Sequence, residues 1–162
     1  MDRLSDYIQK QYGNNPMWFE DECNSAYHVN RISHVISNRD YLSGRHKVLN
    51  RQDSKYKGKV LVTRKTILQY AKTVLRFHNA YLLGKQVQLS TKDNNTLKTL
   101  TDIYRLGDYS TVDYEILDHV NKYGDAYEAI YVEDGVIRSK VLDNASAYPI
   151  YDDMGNYVSF IE

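Results

Sequence analysis

Residues 126–142, AYEAIYVEDGVIRSKVL, decide the fold. Two runs rich in β-branched and aromatic residues, Ala126–Val132 and Val136–Leu142, flank Asp134-Gly135, a pair suited to a two-residue turn with positive φ. The spacing predicts an antiparallel hairpin. A second pair, Tyr148–Tyr151 and Tyr157–Ile161, is expected across Asp152-Asp153-Met154-Gly155-Asn156. Upstream of Gly124 the apolar period changes from two to about 3.6, so helices are expected there. The fold class is therefore α+β: N-terminal helices followed by a small antiparallel sheet of hairpins.

Working back from that hairpin, Ser110 with Asp113 resembles a capping box for a helix over 111–123. Asn95 is placed to cap 96–106. Thr63 is placed to cap 64–83, where Ile67, Leu68, Ala71, Val74, Leu75, His78 and Leu82 recur at helical spacing and Gly84 ends the run. Between Gly44 and Thr63 no helical period survives, and a basic loop leading into Val60-Leu61-Val62 is expected. Asn15-Pro16 reads as a cap with proline at the first helical position, opening a helix that carries Tyr27, Ile32, Val35, Ile36 and Leu42 and stops at Gly44.

The 162-residue chain has 21 lysines and arginines against 21 acids. That length fits one domain, or one domain with an arm. A single cysteine, Cys23, excludes an internal disulfide framework and any CxxC site. No apolar run of about 18 residues is present, and the N-terminal residues lack the apolar stretch of a secretory signal. The zero net charge conceals segregation: residues 1–30 carry −3, residues 31–85 carry +11 and residues 86–162 carry −8. A nucleic-acid face, a subunit interface, and packing of the two charged segments within one monomer each account for it.

Few residues suggest chemistry. His28 and His34 are six apart and fall on different helix faces. His78 lies on an apolar stripe and reads as a hydrogen-bonded core histidine, while Asp118 and His119 point apart as helix neighbours. His46 completes the five histidines. Glu20-Asp21-Glu22 suits the positive end of a helix dipole better than a metal. Cys23 has no activating neighbour. No glycine-rich phosphate loop, HExxH or GxSxG pattern occurs. No enzyme, metal site or cofactor is expected. Sixteen tyrosines, with Tyr41, Tyr56, Tyr70 and Tyr81 among basic residues, favour an interface-rich protein.

Four segments resemble one family. Residues 41–51, YLSGRHKVLNR, are similar to the "YYxGxHxIxxR" segment of portal proteins from tailed phages of Gram-positive bacteria. Residues 81–87, YLLGKQV, resemble its "GYLLGKPV", and residues 123–128, YGDAYE, resemble its "YGxAYE". Val141-Leu142-Asp143 with Tyr148-Pro149-Ile150-Tyr151-Asp152 resembles "VLDPREVFPIYD", with Asn144-Ala145 where the family has a proline-containing turn.

The resemblance implies a structural virion protein without catalysis: a subunit of a ring-shaped head–tail connector through which double-stranded DNA is packaged and ejected. It implies the terminase, head-completion, scaffold and capsid proteins as partners. The expected location is the virion, and the host cytoplasm during assembly, with no membrane. The segments match the family's N-terminal part, so residues 1–15 are expected as an arm and 16–162 as a wing-like domain, helical to about residue 124 and then hairpins. The channel-lining helix and the clip would lie beyond it. The residues themselves leave an alternative open, a small nucleic-acid-binding module using the basic segment 45–65. In either case Arg45, Lys47, Arg51, Lys55, Lys57 and Lys59 are the candidate contacts, with DNA or with a neighbouring subunit.

Overall fold

A computed structural model describes residues 3–85 and 87–162. Met1 and Asp2 of the expected arm, and Gln86 of the 81–87 motif, lie outside the described residues. Among the described residues the architecture is α+β, six α-helices and three antiparallel two-stranded sheets. In order come α1 (Arg3–Tyr12), α2 (Trp18–Cys23), α3 (Ala26–Leu42), a 3₁₀ turn (Lys47–Asn50), β1 (Ser54–Tyr56) and β2 (Lys59–Leu61). Then follow α4 (Tyr70–Leu83), α5 (Asn94–Leu106), α6 (Tyr109–Tyr123), β3 (Tyr127–Glu133), β4 (Val136–Leu142), β5 (Tyr148–Tyr151) and β6 (Tyr157–Ile161).

The hairpins at the C-terminal end match the sequence closely. β3 pairs with β4 from Tyr127↔Leu142 to Glu133↔Val136. Asp134 (φ 51°) and Gly135 (φ 75°) supply the positive-φ turn. β5 and β6 span the expected residues, with a register irregularity at Ile150/Tyr151. The two hairpins remain separate sheets rather than joining into one.

The helix starts differ from expectation, each for a local reason. Residues 18–42 form two helices, because the Ser25 hydroxyl accepts the His28 N–H and starts α3 afresh. α4 begins at Tyr70, not 64, because Thr63 is used elsewhere. Its N–H donates to Asp53 Oδ1 (2.8 Å) and its hydroxyl donates to the Gln52 carbonyl (3.1 Å), closing the base of the β1–β2 hairpin. That hairpin stands where a loop was expected, and turns through Lys57 (φ 48°) and Gly58 (φ 77°). Asp93, not Asn95, caps α5, its carboxylate accepting the Asn95 and Thr96 N–H groups. α6 starts at Tyr109, one residue before Ser110, and the Asp108 that precedes it lies in the left-handed region and makes no side-chain cap.

The core lies where α3 meets the β4–β5 link. Val35, Leu142, Ala147 and Ile150 are buried there with Pro149, and Val112 is buried on α6. Buried polar side chains are as prominent: Glu22, His28, Asn79 and Asn144. The chain exposes 12,297 Å². A compact monomer of 18.9 kDa exposes about 8,300 Å².

Candidate functional site

The six basic residues singled out by sequence are all exposed. Arg45 is drawn back to Asp40 (3.1 Å) at the end of α3. Lys47 and Arg51 bracket the 3₁₀ turn, and Lys55, Lys57 and Lys59 are brought together on the β1–β2 hairpin. Lys57 Nζ lies 5.4 Å from the centre of the Tyr56 ring. Among the described residues, none of the ten lysines and arginines from Lys47 to Lys85 has a carboxylate within 4 Å. Packing of the basic segment against the acidic one within the monomer therefore does not use these cations. Two links do join the segments, Arg31 to Asp125 and Arg39 to Asp143.

Helix α4 extends this surface. One side packs on α6, where the buried Asn79 amide donates to Asp118 Oδ1 (2.9 Å) and Asn79 Oδ1 accepts from Asn121 (2.7 Å). His78, expected in the core, is exposed, because the buried face is centred one residue further on. On the opposite side stand Tyr70, Val74, Phe77 and Tyr81, 70, 56, 67 and 79% exposed. Their i, i+4, i+7, i+11 spacing makes one continuous stripe, and Phe77 stacks on Tyr81 with ring centres 6.1 Å apart. α4 thus has an apolar face for which this chain supplies no cover among the described residues. Tyr41, Tyr56, Tyr70 and Tyr81, the tyrosines picked out among basic residues, are all exposed.

Two polar hubs were not foreseen. In the first, Glu22 is buried rather than solvated like its neighbours Glu20 and Asp21. Its Oε2 accepts the hydroxyls of Tyr7 (2.8 Å) and Tyr12 (2.7 Å), and its Oε1 lies 3.2 Å from His28 Nε2. Burial holds the His28 pKa below the usual histidine value, against the opposing pull of Glu22. Burial and the Glu22 carboxylate push the Tyr12 hydroxyl up to about 12. Both carboxylate oxygens are occupied and the imidazole is fully buried, so the pair ties α1 and α2 to α3. The Cys23 thiol next to it is pushed up by burial, which keeps it protonated.

In the second hub, Arg31 from α3 donates to the carbonyls of Asn144 (2.9 Å) and Ala147 and lies over the Tyr127 ring (5.5 Å). Asn144 is fully buried, and its amide donates to the Asp125 carbonyl (2.8 Å) and to Asp125 Oδ1 (2.7 Å). Helix α3 thereby clamps the link between β4 and β5. Among the described residues, no three or more His, Cys, Asp or Glu side chains gather as metal ligands. No helix there is long and apolar enough to cross a membrane.

Residues 24–162 match the family model described as "Phage portal protein, SPP1 Gp6-like". All four motif segments fall within the match. No curated protein matches the chain.

Proposed function

This chain belongs to the SPP1 Gp6-like phage portal family, a structural, non-enzymatic family, and on that premise we propose that it acts as a subunit of a homo-oligomeric portal ring. Residues 16–162 supply its wing-like part and residues 1–15 an arm. Assembled, such a ring lets double-stranded DNA enter the head during packaging and leave it at ejection. Its partners are the terminase motor, head-completion proteins, scaffold and capsid. The chain works in the virion, and in the host cytoplasm while particles assemble.

The observation that carries this reading is the excess of surface. With about half as much area again as a compact monomer of its mass exposes, the fold leaves apolar faces free to receive a neighbour. Segregated charge adds a reason for head-to-tail contact between copies. Sedimentation velocity across a salt series tests it. Concentration-dependent association at low ionic strength that weakens as salt rises is the expected result. A strictly monomeric species at high concentration and low salt overturns it.

The ten unpaired cations favour one second reading, a nucleic-acid-binding module centred on 45–65. It requires duplex binding whose affinity falls steeply with salt. Unchanged duplex affinity after neutralising Lys47, Arg51 and Lys55 removes it.

A further inference from the structure

The β1–β2 hairpin is exposed on both faces along its whole length. Tyr56, Val60, Leu61 and Val62 are each more than half exposed, interleaved with Lys55, Lys57 and Lys59. Two strands alone are marginally stable in water, so a hairpin of this kind gains order from whatever covers it. The cover has to be anionic and apolar at once. A duplex supplies phosphates but no surface for Val60, Leu61 and Val62.

The chain itself carries a surface of the required kind. On one face of the β3–β4 hairpin, Ile130 and Val132 are more than half exposed, and Val132 pairs across the ladder with Ile137, also exposed. Glu128 shares that face, and Asp134 sits at the tip. Among the described residues, neither has a cation within 4 Å, whereas Glu133 is held by Arg138 (2.9 Å). One hairpin is apolar with unpaired lysines; the other is apolar with unpaired acids.

We infer that the basic β1–β2 hairpin of one copy docks on the acidic face of the β3–β4 hairpin of the next. The inference rests on the self-association proposed above and names the surfaces that make it. The contact is heterologous. Each added copy leaves one basic and one acidic hairpin free, so the series either closes into a ring or runs on.

Charge exchange tests it on the full chain by sedimentation. Lys55→Glu with Lys59→Glu reverses the basic side; Lys57 is left alone because its positive φ is part of the turn. Glu128→Lys with Asp134→Asn reverses the acidic side, asparagine being tolerant of the φ of 51° at Asp134. All four residues are exposed, and an unchanged thermal melt confirms that the fold survives. Each pair of substitutions is expected to weaken association about tenfold, and a chain carrying both pairs is expected to regain it.

Association that ignores both pairs overturns the docking while leaving the ring reading intact. Loss in both pairs without recovery in the combined chain also overturns it, because the hairpins then meet other surfaces. A native chain that never associates removes both. If Lys55→Glu with Lys59→Glu abolishes duplex binding and leaves association unchanged, the lysines belong to nucleic acid instead.

Discussion

Asn144 stands where the family resemblance places a proline-containing turn, and the exchange is consequential at the level of a single side chain. Its amide satisfies both the backbone and the carboxylate of Asp125 from a fully buried position. Asn144→Ala is expected to lower unfolding free energy by about 1–3 kcal/mol, because it removes two hydrogen bonds made from a buried amide; urea denaturation reads this, and a change within error counts against the clamp. His28 sets a second expectation. Glu22 and Arg31 are the charged groups acting on it, and the rings of Tyr27 and Tyr148 lie against it. Its folded pKa is lowered, so the unfolded chain binds the extra proton first. This contribution is complete above the unfolded value of about 6.5 and is lost as pH falls below it. Stability measured between pH 7.5 and 5.5 should decline on acidification, and His28→Gln should flatten that part of the profile.

At the scale of elements, α4 packs one side on α6 and turns the stripe of Tyr70, Val74, Phe77 and Tyr81 outward. Phe77→Ser is expected to leave the thermal melt within about 0.5 kcal/mol of the native chain, since the ring is two-thirds exposed, and to reduce self-association in sedimentation. A marked loss of stability would instead place Phe77 in the fold. The same helix shows why sequence reading goes only part of the way. Apolar periodicity identifies a helix here, and Gly84 its end, but the period cannot say which of two apolar faces finds cover inside the chain. Hence His78 was placed inward and Asn79, whose amide locks α4 to α6, was missed. The Asp134-Gly135 turn was legible because Asp-Gly is a favoured positive-φ pair. Lys57-Gly58 adopts nearly the same φ values, but lysine carries no such preference, so the hairpin is hidden in an apparent loop. The basic residues of the candidate surface were legible one by one. Their lack of carboxylate partners was not, because pairing is a property of the folded chain. The burial of Glu22 was equally invisible, its neighbours Glu20 and Asp21 being ordinary first-turn acids.

For the molecule as a whole, apolar burial is concentrated between α3 and the β4–β5 link, while the basic hairpin, the α4 stripe and the tip of β3–β4 face outward. That distribution suits a subunit whose last increments of burial come from neighbours. It also divides the chain unequally. Helix α1 contributes no buried residue; it is tied down by Tyr7 and Tyr12 on Glu22 and by Lys10 and Gln11 on Asp153. A segment attached by a handful of polar contacts opens without the rest of the molecule. Native-state amide exchange should therefore find α1 protected far less than α3, with its opening insensitive to mild denaturant. Unfolding then has two stages: the midpoint reported by a probe on α1 will precede that of a probe in the core, and it is the core transition that carries the stability of the fold.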